Sequence, residues 1–374
     1  MKKTLALLVI LVTLGAAADI CPANNPIGVF DSGIGGLSVL ERLLTVDAFD
    51  NRTHEAKPDG RPDFADEDFV YFGDQANMPY GRYDAAGKAD FLRELVVRDA
   101  QFVLGFEGHD PAKIVVIACD TATAYGLKAV QDMPRPHDEQ VVGVVNAGVE
   151  AALDAMSDVT EPYTIAVMAT PGTISSGVYR RTIQAELRRR KVSVCVGIAS
   201  HGGVGLAEAV ENRDPGMNVC ARTNLLALVE GVRTRGEAAP IRALILGCTH
   251  YPYVLDAFKW TLDELRKDPK YAPYLADDIV FVDPAVYTAR ACYRLLAKRR
   301  LPRLSGAPRA AKRVTAFISV GRDGPLPDSV KYGRDCGCRD LGTKIVPLAE
   351  ADVGKDVLEA IRRTFPACGR ELGL

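Results

Sequence analysis

The sequence predicts an α/β protein of two similar, doubly wound parallel-sheet lobes, with the active site in the cleft between them. The first observation is a series of short runs rich in Val, Ile, Leu and Ala, at residues 26–30, 68–72, 114–118, 141–145, 163–168, 192–198, 243–246 and 278–282. These runs are continuous rather than alternating, which is typical of strands buried on both faces. Amphipathic stretches between them, at residues 89–104, 182–190 and 221–235, predict covering helices.

The second observation is an internal repeat. Residues 27–38 read as a strand followed by small and hydroxyl-bearing residues, and residues 165–176 follow the same pattern. Residues 114–121 likewise resemble residues 244–250, and each segment places a cysteine after an apolar run. Because the paired segments occur in the same order at similar spacing, we predict two related lobes.

The composition restricts the class of protein. The 374 residues include 46 Lys and Arg against 48 Asp and Glu, a formal net charge of −2. No nucleic-acid partner is expected, because there is no excess of basic side chains to neutralise phosphates. Nine cysteines are too few for a disulfide scaffold in a chain of this length, and their spacing matches no zinc site. We therefore expect a globular protein without a bound metal.

The N-terminal segment, residues 1–18, has the pattern of a signal peptide. Two lysines precede an apolar stretch at residues 4–14, and three alanines at residues 16–18 supply a cleavage site. The apolar stretch is shorter than the 20 or so residues that span a bilayer. We expect an exported, periplasmic protein that begins near Asp19 and has no stable membrane insertion after cleavage. The alternatives are a buried first strand or an uncleaved anchor.

Two cysteines are candidates for acid/base chemistry. Cys119 and Cys248 each end a predicted strand and precede a hydroxyl-bearing turn. Ligands of open α/β sheets bind at the carboxyl ends of the strands, beside helix N-termini. A thiol there meets the positive end of a helix dipole, which is expected to lower its pKa and favour the thiolate. The alternative is that each is simply a small buried apolar side chain.

Two thiols on opposite sides of one cleft suit a reaction at a carbon stereocentre. One thiolate removes a proton from the carbon and the other thiol returns a proton to the opposite face, which inverts the configuration. A single thiol near a carbonyl group would instead indicate acyl transfer. The pKa of a free thiol, about 8.5, is close enough to neutrality for either role.

Five motifs follow one another along the chain. They are Ile-Gly-Val-Phe-Asp-Ser-Gly-Ile-Gly-Gly-Leu from residue 27, Tyr-Phe-Gly-Asp from residue 71, Met-Pro-Tyr-Gly from residue 78, Ile-Ala-Cys-Asp-Thr-Ala from residue 117 and Leu-Gly-Cys-Thr-His-Tyr-Pro from residue 246. In this order they resemble the glutamate racemases, a family of the cofactor-independent aspartate/glutamate racemase group. The resemblance implies interconversion of L- and D-glutamate with no cofactor, a small-molecule amino-acid substrate and a homodimer.

The resemblance also implies roles for single residues. The catalytic set consists of Cys119, Cys248, Asp31, His250 and Glu208. The substrate-binding set consists of Asp31, Ser32, Tyr80, Gly81, Asp120, Thr121, Thr249 and His250. Within these sets, Tyr80 and Gly81 offer backbone groups, and His250 assists Cys248. Glu208 follows from a looser match, in the segment of residues 199–208.

The resemblance completes the domain assignment. We assign residues 26–144 to the first lobe and residues 145–276 to the second. Residues 277–374 are a C-terminal segment that, as the resemblance implies, returns to the first lobe.

Three functions stay open at this point. The first is glutamate racemisation, which in this family serves peptidoglycan and the cell wall, although an exported member would instead process amino acids in the envelope. The second is aspartate racemisation, or another isomerisation or a decarboxylation, because Asp120 stands where the family has Asn. A carboxylate there repels an anionic substrate unless it pairs with the ammonium group or is protonated. The third is a catalytically silent envelope binding protein.

Overall fold

The computed structural model describes residues 23–105, 110–135, 139–236, 239–303, 313–350 and 355–374. The predicted signal peptide, residues 1–18, lies outside the described residues. Within these ranges, no helix has the length and apolar character needed to span a membrane.

Ten strands form two sheets in the described chain. They are β1 (Ile27–Asp31), β2 (Phe69–Gly73), β3 (Ile114–Ile117), β4 (Gln140–Gly143), β5 (Tyr163–Ala169), β6 (Val196–Gly202), β7 (Ile241–Gly247), β8 (Leu275–Val282), β9 (Val314–Gly321) and β10 (Thr343–Pro347). The first sheet has the order β10-β9-β2-β1-β3-β4, and the second has the order β6-β5-β7-β8. All neighbouring strands are parallel except β10, which is antiparallel to β9.

The second sheet repeats the strand order of the first. If β5 corresponds to β1, then β6-β5-β7-β8 has the same order as β2-β1-β3-β4. In this correspondence β3 matches β7, so the two cysteine-bearing strands are equivalent. The two lobes are therefore similar, which confirms the predicted fold class.

Helices cover both faces of each sheet. They are α1 (Leu37–Thr45), α2 (Ala89–Val103), α3 (Asp120–Asp132), α4 (Val144–Ala155), α5 (Pro171–Ser175), α6 (Val178–Arg190), α7 (Leu206–Glu211), α8 (Met217–Thr234), α9 (Leu255–Lys267), α10 (Pro284–Arg299), α11 (Asp328–Lys331), α12 (Lys355–Thr364) and α13 (Pro366–Leu372). In the first lobe α1, α10 and α13 pack on one face and α2 and α3 on the other. In the second lobe α4 and α6 oppose α7, α8 and α9.

This arrangement explains the continuous apolar runs. On β1, Ile27 and Val29 belong to the core on one face and Phe30 to the core on the other. On β5, Met168 and Val167 divide between the two faces in the same way. Because successive side chains of a strand point to opposite faces, a strand with two buried faces is apolar at every position.

The C-terminal segment adds to the first lobe. Its strand β9 pairs with β2, and β10 forms the edge. Helix α13 packs on α1, where the Glu41 carboxylate accepts hydrogen bonds from the N–H groups of Ala367 at 3.1 Å and Cys368 at 2.8 Å. Two oxygens of one carboxylate thereby hold the free N–H groups at the start of α13.

Two of the assigned boundaries differ from the structure. The limit between residues 276 and 277 falls inside β8, which pairs with β7 at Leu275 and again at residues 280–282. The second lobe therefore continues to Val282. The predicted strand at residues 141–145 ends earlier, at Gly143, because the next residue begins α4.

Candidate active site

The carboxyl ends of β1 and β3 in the first lobe and of β5 and β7 in the second meet at one pocket. The pocket is lined by Ser32, Met78, Pro79, Tyr80, Gly81, Cys119, Asp120, Thr121, Thr170, Ala207, Gly247, Cys248, Thr249 and His250. Nine of the eleven residues named from the sequence are in this lining. Of the other two, Asp31 is fully buried at the end of β1, and Glu208 lies elsewhere.

Cys119 is the N-cap residue of α3, and its sulfur makes two weak contacts with nearby residues. Its Sγ accepts a hydrogen bond from the N–H of Ala122 at 3.4 Å and lies 3.7 Å from Oγ of Ser32. Burial raises the pKa of the Cys119 thiol well above its usual range, and the nearby charge of Asp31 adds to this effect. Ala122 and Ser32 oppose the shift without overcoming it. The environment of Cys119 therefore favours the thiol over the thiolate.

Cys248 has a different environment, since a histidine and a carboxylate stand behind it. Its Sγ lies 3.5 Å from Nδ1 of His250, and Nε2 of His250 lies 2.6 Å from Oε2 of Glu211. Burial opposes protonation of His250, but its contacts with Cys248 and Glu211 raise its pKa well above the usual value. Burial also raises the pKa of Cys248, and His250 opposes that shift. The imidazolium thus provides a positive charge beside this thiol alone.

The expectation that helix dipoles favour the thiolate at both cysteines is wrong. The pKa of each thiol is raised, and burial is the largest cause in both cases. Removing a thiolate from water costs more than the partial charge of a helix end returns. What separates the two cysteines is His250, which contacts only one of them.

The acidic residue behind His250 is Glu211 rather than Glu208. Both belong to the short helix α7, which begins after Gly205, a residue in the left-handed conformation at φ +69°. The two carboxylates are three residues apart, so they lie about one turn apart along the same side of the helix. Both line a larger neighbouring groove, but only Glu211 reaches the imidazole of His250. The Leu-Ala-Glu-Ala-Val-Glu sequence offered both residues, and only the position of α7 along its axis distinguishes them.

One carboxylate oxygen of Asp31 accepts no hydrogen bond in the part of the chain that the structure describes. Its Oδ2 accepts a hydrogen bond from the N–H of Gly33 at 3.0 Å, whereas Oδ1 is buried without a hydrogen-bond partner among the described residues. Burial raises the pKa of Asp31 to about 6, and the nearby charge of His250 opposes this shift. A carboxyl group with a free oxygen in this position has the chemistry to receive an ammonium group.

Asp120 connects the two lobes. It begins α3 of the first lobe, and its Oδ1 accepts a hydrogen bond from the hydroxyl group of Tyr179, in α6 of the second lobe. Burial raises the pKa of Asp120 to about 7; the bond from Tyr179 opposes this, and the charges of Asp31 and Asp283 add to it. Asp120 is therefore protonated in much of the population near neutral pH. In that form it carries no charge, like the Asn of the family pattern.

Hydroxyl groups occupy the second contact between the lobes. The Oγ1 atom of Thr121 lies 2.9 Å from Oγ1 of Thr170 and 2.9 Å from Oγ1 of Thr173. Thr121 belongs to the first lobe and the other two threonines to the second. The motif analysis did not single out Thr170, although the repeat places it where Ser32 stands in the first lobe. Hydroxyl groups that rotate freely can donate to a carboxylate in the pocket.

The Tyr80 side chain does not point its hydroxyl group at the pocket lining. That group lies 2.6 Å from Oδ2 of Asp74 and 2.7 Å from Oδ2 of Asp99, in a fully buried network. The network fixes the turn that carries Gly81, whose backbone lies against Thr170 of the second lobe. Tyr80 and Gly81 therefore offer main-chain groups to the pocket.

The fold and the site together define a class of protein. Two related α/β lobes contribute one thiol each, from the ends of equivalent strands, to a shared and mostly buried pocket. Such a site is equipped for proton transfer by side chains to and from a small molecule. Across the described ranges, no cluster of three or more His, Cys, Asp or Glu residues has the arrangement of a metal site.

The comparisons with known proteins identify the family. A glutamate racemase of Cereibacter sphaeroides is 34% identical over 270 residues, which cover 71% of this chain and 85% of the relative. The structure of a glutamate racemase isoform from Bacillus anthracis matches with a TM-score of 0.52 and 27% identity, over 75% of this chain and 84% of that chain. No family model matches the sequence. The chain belongs to the glutamate racemase family.

A third relative was solved with a small molecule. The glutamate racemase of Thermus thermophilus, in complex with β-chloro-D-alanine, matches with a TM-score of 0.51 and 28% identity. The match covers 79% of this chain and 88% of that chain. A halogenated amino acid is thus a ligand of a structural neighbour.

The protonation of Asp120 gives a prediction for stability. Its pKa is raised from 3.8 to about 7 on folding, so the folded state binds the proton more tightly than the unfolded state. The stabilisation is complete below pH 4 and is lost as the pH rises through 7, a change of about 4 kcal/mol at roughly 1.4 kcal/mol per pH unit. In Asp120→Asn this loss is absent.

Urea unfolding of the parent and of Asp120→Asn between pH 4.5 and 8 measures the effect. The free energy of unfolding of the parent should fall relative to the variant as the pH rises. Asp158→Asn, at an exposed position, is the matched control and should follow the parent. A difference between the parent and Asp120→Asn that does not change with pH would contradict the prediction.

Proposed function

We propose that this chain interconverts L- and D-glutamate without a cofactor, by proton transfer through Cys119 and Cys248. The observation that carries the proposal is that both thiols line one pocket at the ends of equivalent strands, β3 and β7. Glutamate is the substrate because the relatives with substantial identity are glutamate racemases. β-Chloro-D-alanine, the ligand of a structural neighbour, also fits an amino-acid site.

The proposed reaction balances within the pair of thiols. A thiolate takes the α-proton of the substrate and becomes a thiol, while the electron pair of the broken C–H bond stays on the α-carbon. The opposite thiol then donates its proton to that carbon from the other face and becomes the thiolate. The net change is inversion, with one proton exchanged between the two sulfurs and none gained or lost.

Several groups support the substrate in this proposal. The free oxygen of Asp31 receives the ammonium group, whose positive charge also lowers the pKa of a nearby thiol. The hydroxyl groups of Thr121 and Thr170 are donors for a carboxylate. Asp120 tolerates that carboxylate in its protonated form, which removes the repulsion expected for an ionised side chain.

The two directions of the reaction use different chemistry. On one side, the imidazolium of His250, held by Glu211, stabilises the Cys248 thiolate and can return a proton to it. On the other side, Cys119 has only Ser32 and the N–H of Ala122 beside it. The two half-reactions should therefore respond differently to pH and to substitution.

The first test replaces each cysteine. Cys119→Ser and Cys248→Ser should each reduce racemisation by about 10³-fold or more, since a hydroxyl group is a far weaker acid and base than a thiol at neutral pH. Cys195→Ser, at an exposed position, is the control and should keep full activity.

The measurement is α-proton exchange in deuterated water, followed by NMR on L-glutamate, D-glutamate and both aspartates. Exchange with inversion on glutamate supports the proposal, and exchange on aspartate alone assigns the chain to the second function. Full activity in both cysteine variants would contradict the two-thiol mechanism.

The second test separates Glu211 from Glu208. Glu211→Gln removes the charge that keeps His250 protonated, so racemisation should fall by about 10²-fold, within the usual range for a group supporting acid/base catalysis. Glu208→Gln should change the rate by less than about twofold, because the carboxylate that holds His250 belongs to Glu211. Racemisation rates of the two purified variants decide the matter, and the reverse ranking would restore the sequence-based assignment.

We further propose that the protein is exported. The proposal is supported by the charged start, short apolar stretch and small residues of segment 1–18. Full-length protein made in a Gram-negative host should be recovered from the periplasm with a new N-terminus near Asp19. A charge placed in the apolar stretch, Leu8→Arg, should retain it in the cytoplasm. Recovery of protein that begins at Met1 in both cases would contradict export.

The contribution to peptidoglycan and the homodimer implied by the resemblance stay predictions. An exported racemase meets glutamate in the envelope rather than at the cytoplasmic step of cell-wall synthesis. Its proposed role is therefore the supply or removal of a D-amino acid outside the cytoplasm.

A further inference from the structure

Two buried oxygen atoms face the cleft without a donor. They are Oε1 of Gln75 and Oε1 of Glu211, and neither has a hydrogen-bond partner among the described residues. Both lie beside Gly33: a Cβ atom placed on this glycine would be 2.8 Å from the Gln75 oxygen and 3.3 Å from the Glu211 oxygen. A buried acceptor without a donor costs about 1–3 kcal/mol, so two neighbouring ones need a common explanation.

The orientation of the Gln75 amide supplies that explanation. The two ends of a glutamine amide have nearly the same shape, and the hydrogen-bond network decides which end is nitrogen. The Nε2 atom of Gln75 lies 3.9 Å from Sδ of Met78, which is a weak acceptor. Half a turn of the amide directs Nε2 to Glu211 and the oxygen to the Met78 side. Gln75 and Met78 both line the large groove, so water can reach the oxygen there.

We propose that Gln75 is a positioning residue whose amide nitrogen donates to Oε1 of Glu211 and thereby fixes the carboxylate that holds His250 on Cys248. The proposal rests on the proposed function, because Cys248 acts there as one of the two bases. Gln75 follows β2 of the first lobe, and Glu211 ends α7 of the second. The bond therefore crosses the cleft and joins the first lobe to the acid/base group of the second.

The consequence of this bond is electrostatic. Burial opposes ionisation of Glu211, but the hydrogen bond and charge of His250, with smaller contributions from the nearby Gln75 side chain and the backbone of Ile34, hold its pKa below the usual value. An ionised Glu211 keeps His250 protonated, and the imidazolium favours the Cys248 thiolate. Without a donor at Oε1, the carboxylate loses one of its two fixed positions and takes up a proton more readily.

Other titratable groups lie near the relay formed by Glu211, His250 and Cys248, and a substitution at Gln75 leaves all of them in the protein. They are Asp31 of β1, Tyr71 of β2, Asp120 of α3, Tyr179 of α6, and Tyr251 and Tyr253 after β7. Cys119 takes its contacts from Ser32 and Ala122 and has no bond to the relay. A change at Gln75 should therefore act on the Cys248 half-reaction.

The test measures each half-reaction separately. It uses 3-chloroglutamate of either configuration at the α-carbon, so that each form presents its α-proton to one of the two thiols. Elimination needs only one base: the thiolate takes the α-proton, the C–H electrons form a C=C bond, and chloride leaves with the C–Cl electron pair. The resulting enamine tautomerises and is hydrolysed to 2-oxoglutarate and ammonia. The rates of elimination in Cys119→Ser and in Cys248→Ser show which α-configuration each remaining thiol deprotonates.

Two substitutions remove the donor. Gln75→Glu keeps the shape and replaces the donor with an acceptor, while Gln75→Met keeps the length without any hydrogen-bonding group. Each should slow elimination by Cys248 by 10- to 100-fold and move the midpoint of its pH profile to higher pH, while elimination by Cys119 stays within about threefold. Gln131→Glu, at an exposed position on α3, is the matched control and should leave both rates unchanged.

The outcomes separate this inference from the proposed function. Equal loss in both half-reactions would give Gln75 a merely structural role, and no loss in either would exclude the bond; both results overturn the inference. In each case, racemisation of glutamate by the parent and its loss in the cysteine variants still uphold the proposed function. If the parent exchanges no α-proton of glutamate, the proposed function fails and the inference fails with it.

Discussion

The proposed chemistry of the site depends on the contact of 3.5 Å between Sγ of Cys248 and Nδ1 of His250. A thiol that is to act as a base must be buried, so that the substrate is held away from water, yet burial raises its pKa. His250 counters this effect only if it stays protonated inside the protein. Glu211 makes that possible, and it can do so because α7 carries it from the edge of the second lobe to the pocket.

The rest of the architecture follows from the need to bring two such thiols to one small molecule. Two equivalent strands, β3 and β7, are each followed by a cysteine, and the lobes are joined by the pair Asp120–Tyr179 and by the threonine hydroxyl groups. The duplication explains the shared position of the thiols. It does not extend to their neighbours, since the first lobe has Thr121 two residues after Cys119, where the second lobe has His250 two residues after Cys248. Related scaffolds have thus acquired unlike acid/base groups.

The strands that carry the site could be predicted because burial on both faces leaves a strong sequence signal. The C-terminal strands β9 and β10 gave no such signal, because exposed and polar positions interrupt Val314–Gly321 and Thr343–Pro347. The site residues in the motifs were predicted because each stands next to a strand end. Glu211 was missed because its contact with His250 depends on the position of α7 along its axis. The contact proposed for Gln75 depends on how one lobe is placed against the other. No local pattern records that placement, nor does it distinguish Glu211 from Glu208 one turn away.

The bond between Asp120 and Tyr179 also ties movement of the lobes to the proton concentration outside the protein. If the lobes separate to admit a substrate, water reaches Asp120 and its affinity for the proton falls toward that of a free carboxylic acid. Opening near neutral pH then releases a proton to the solvent, and closing takes one up. By mass action, each unit of acidification between pH 4 and 7 favours the closed form by up to tenfold.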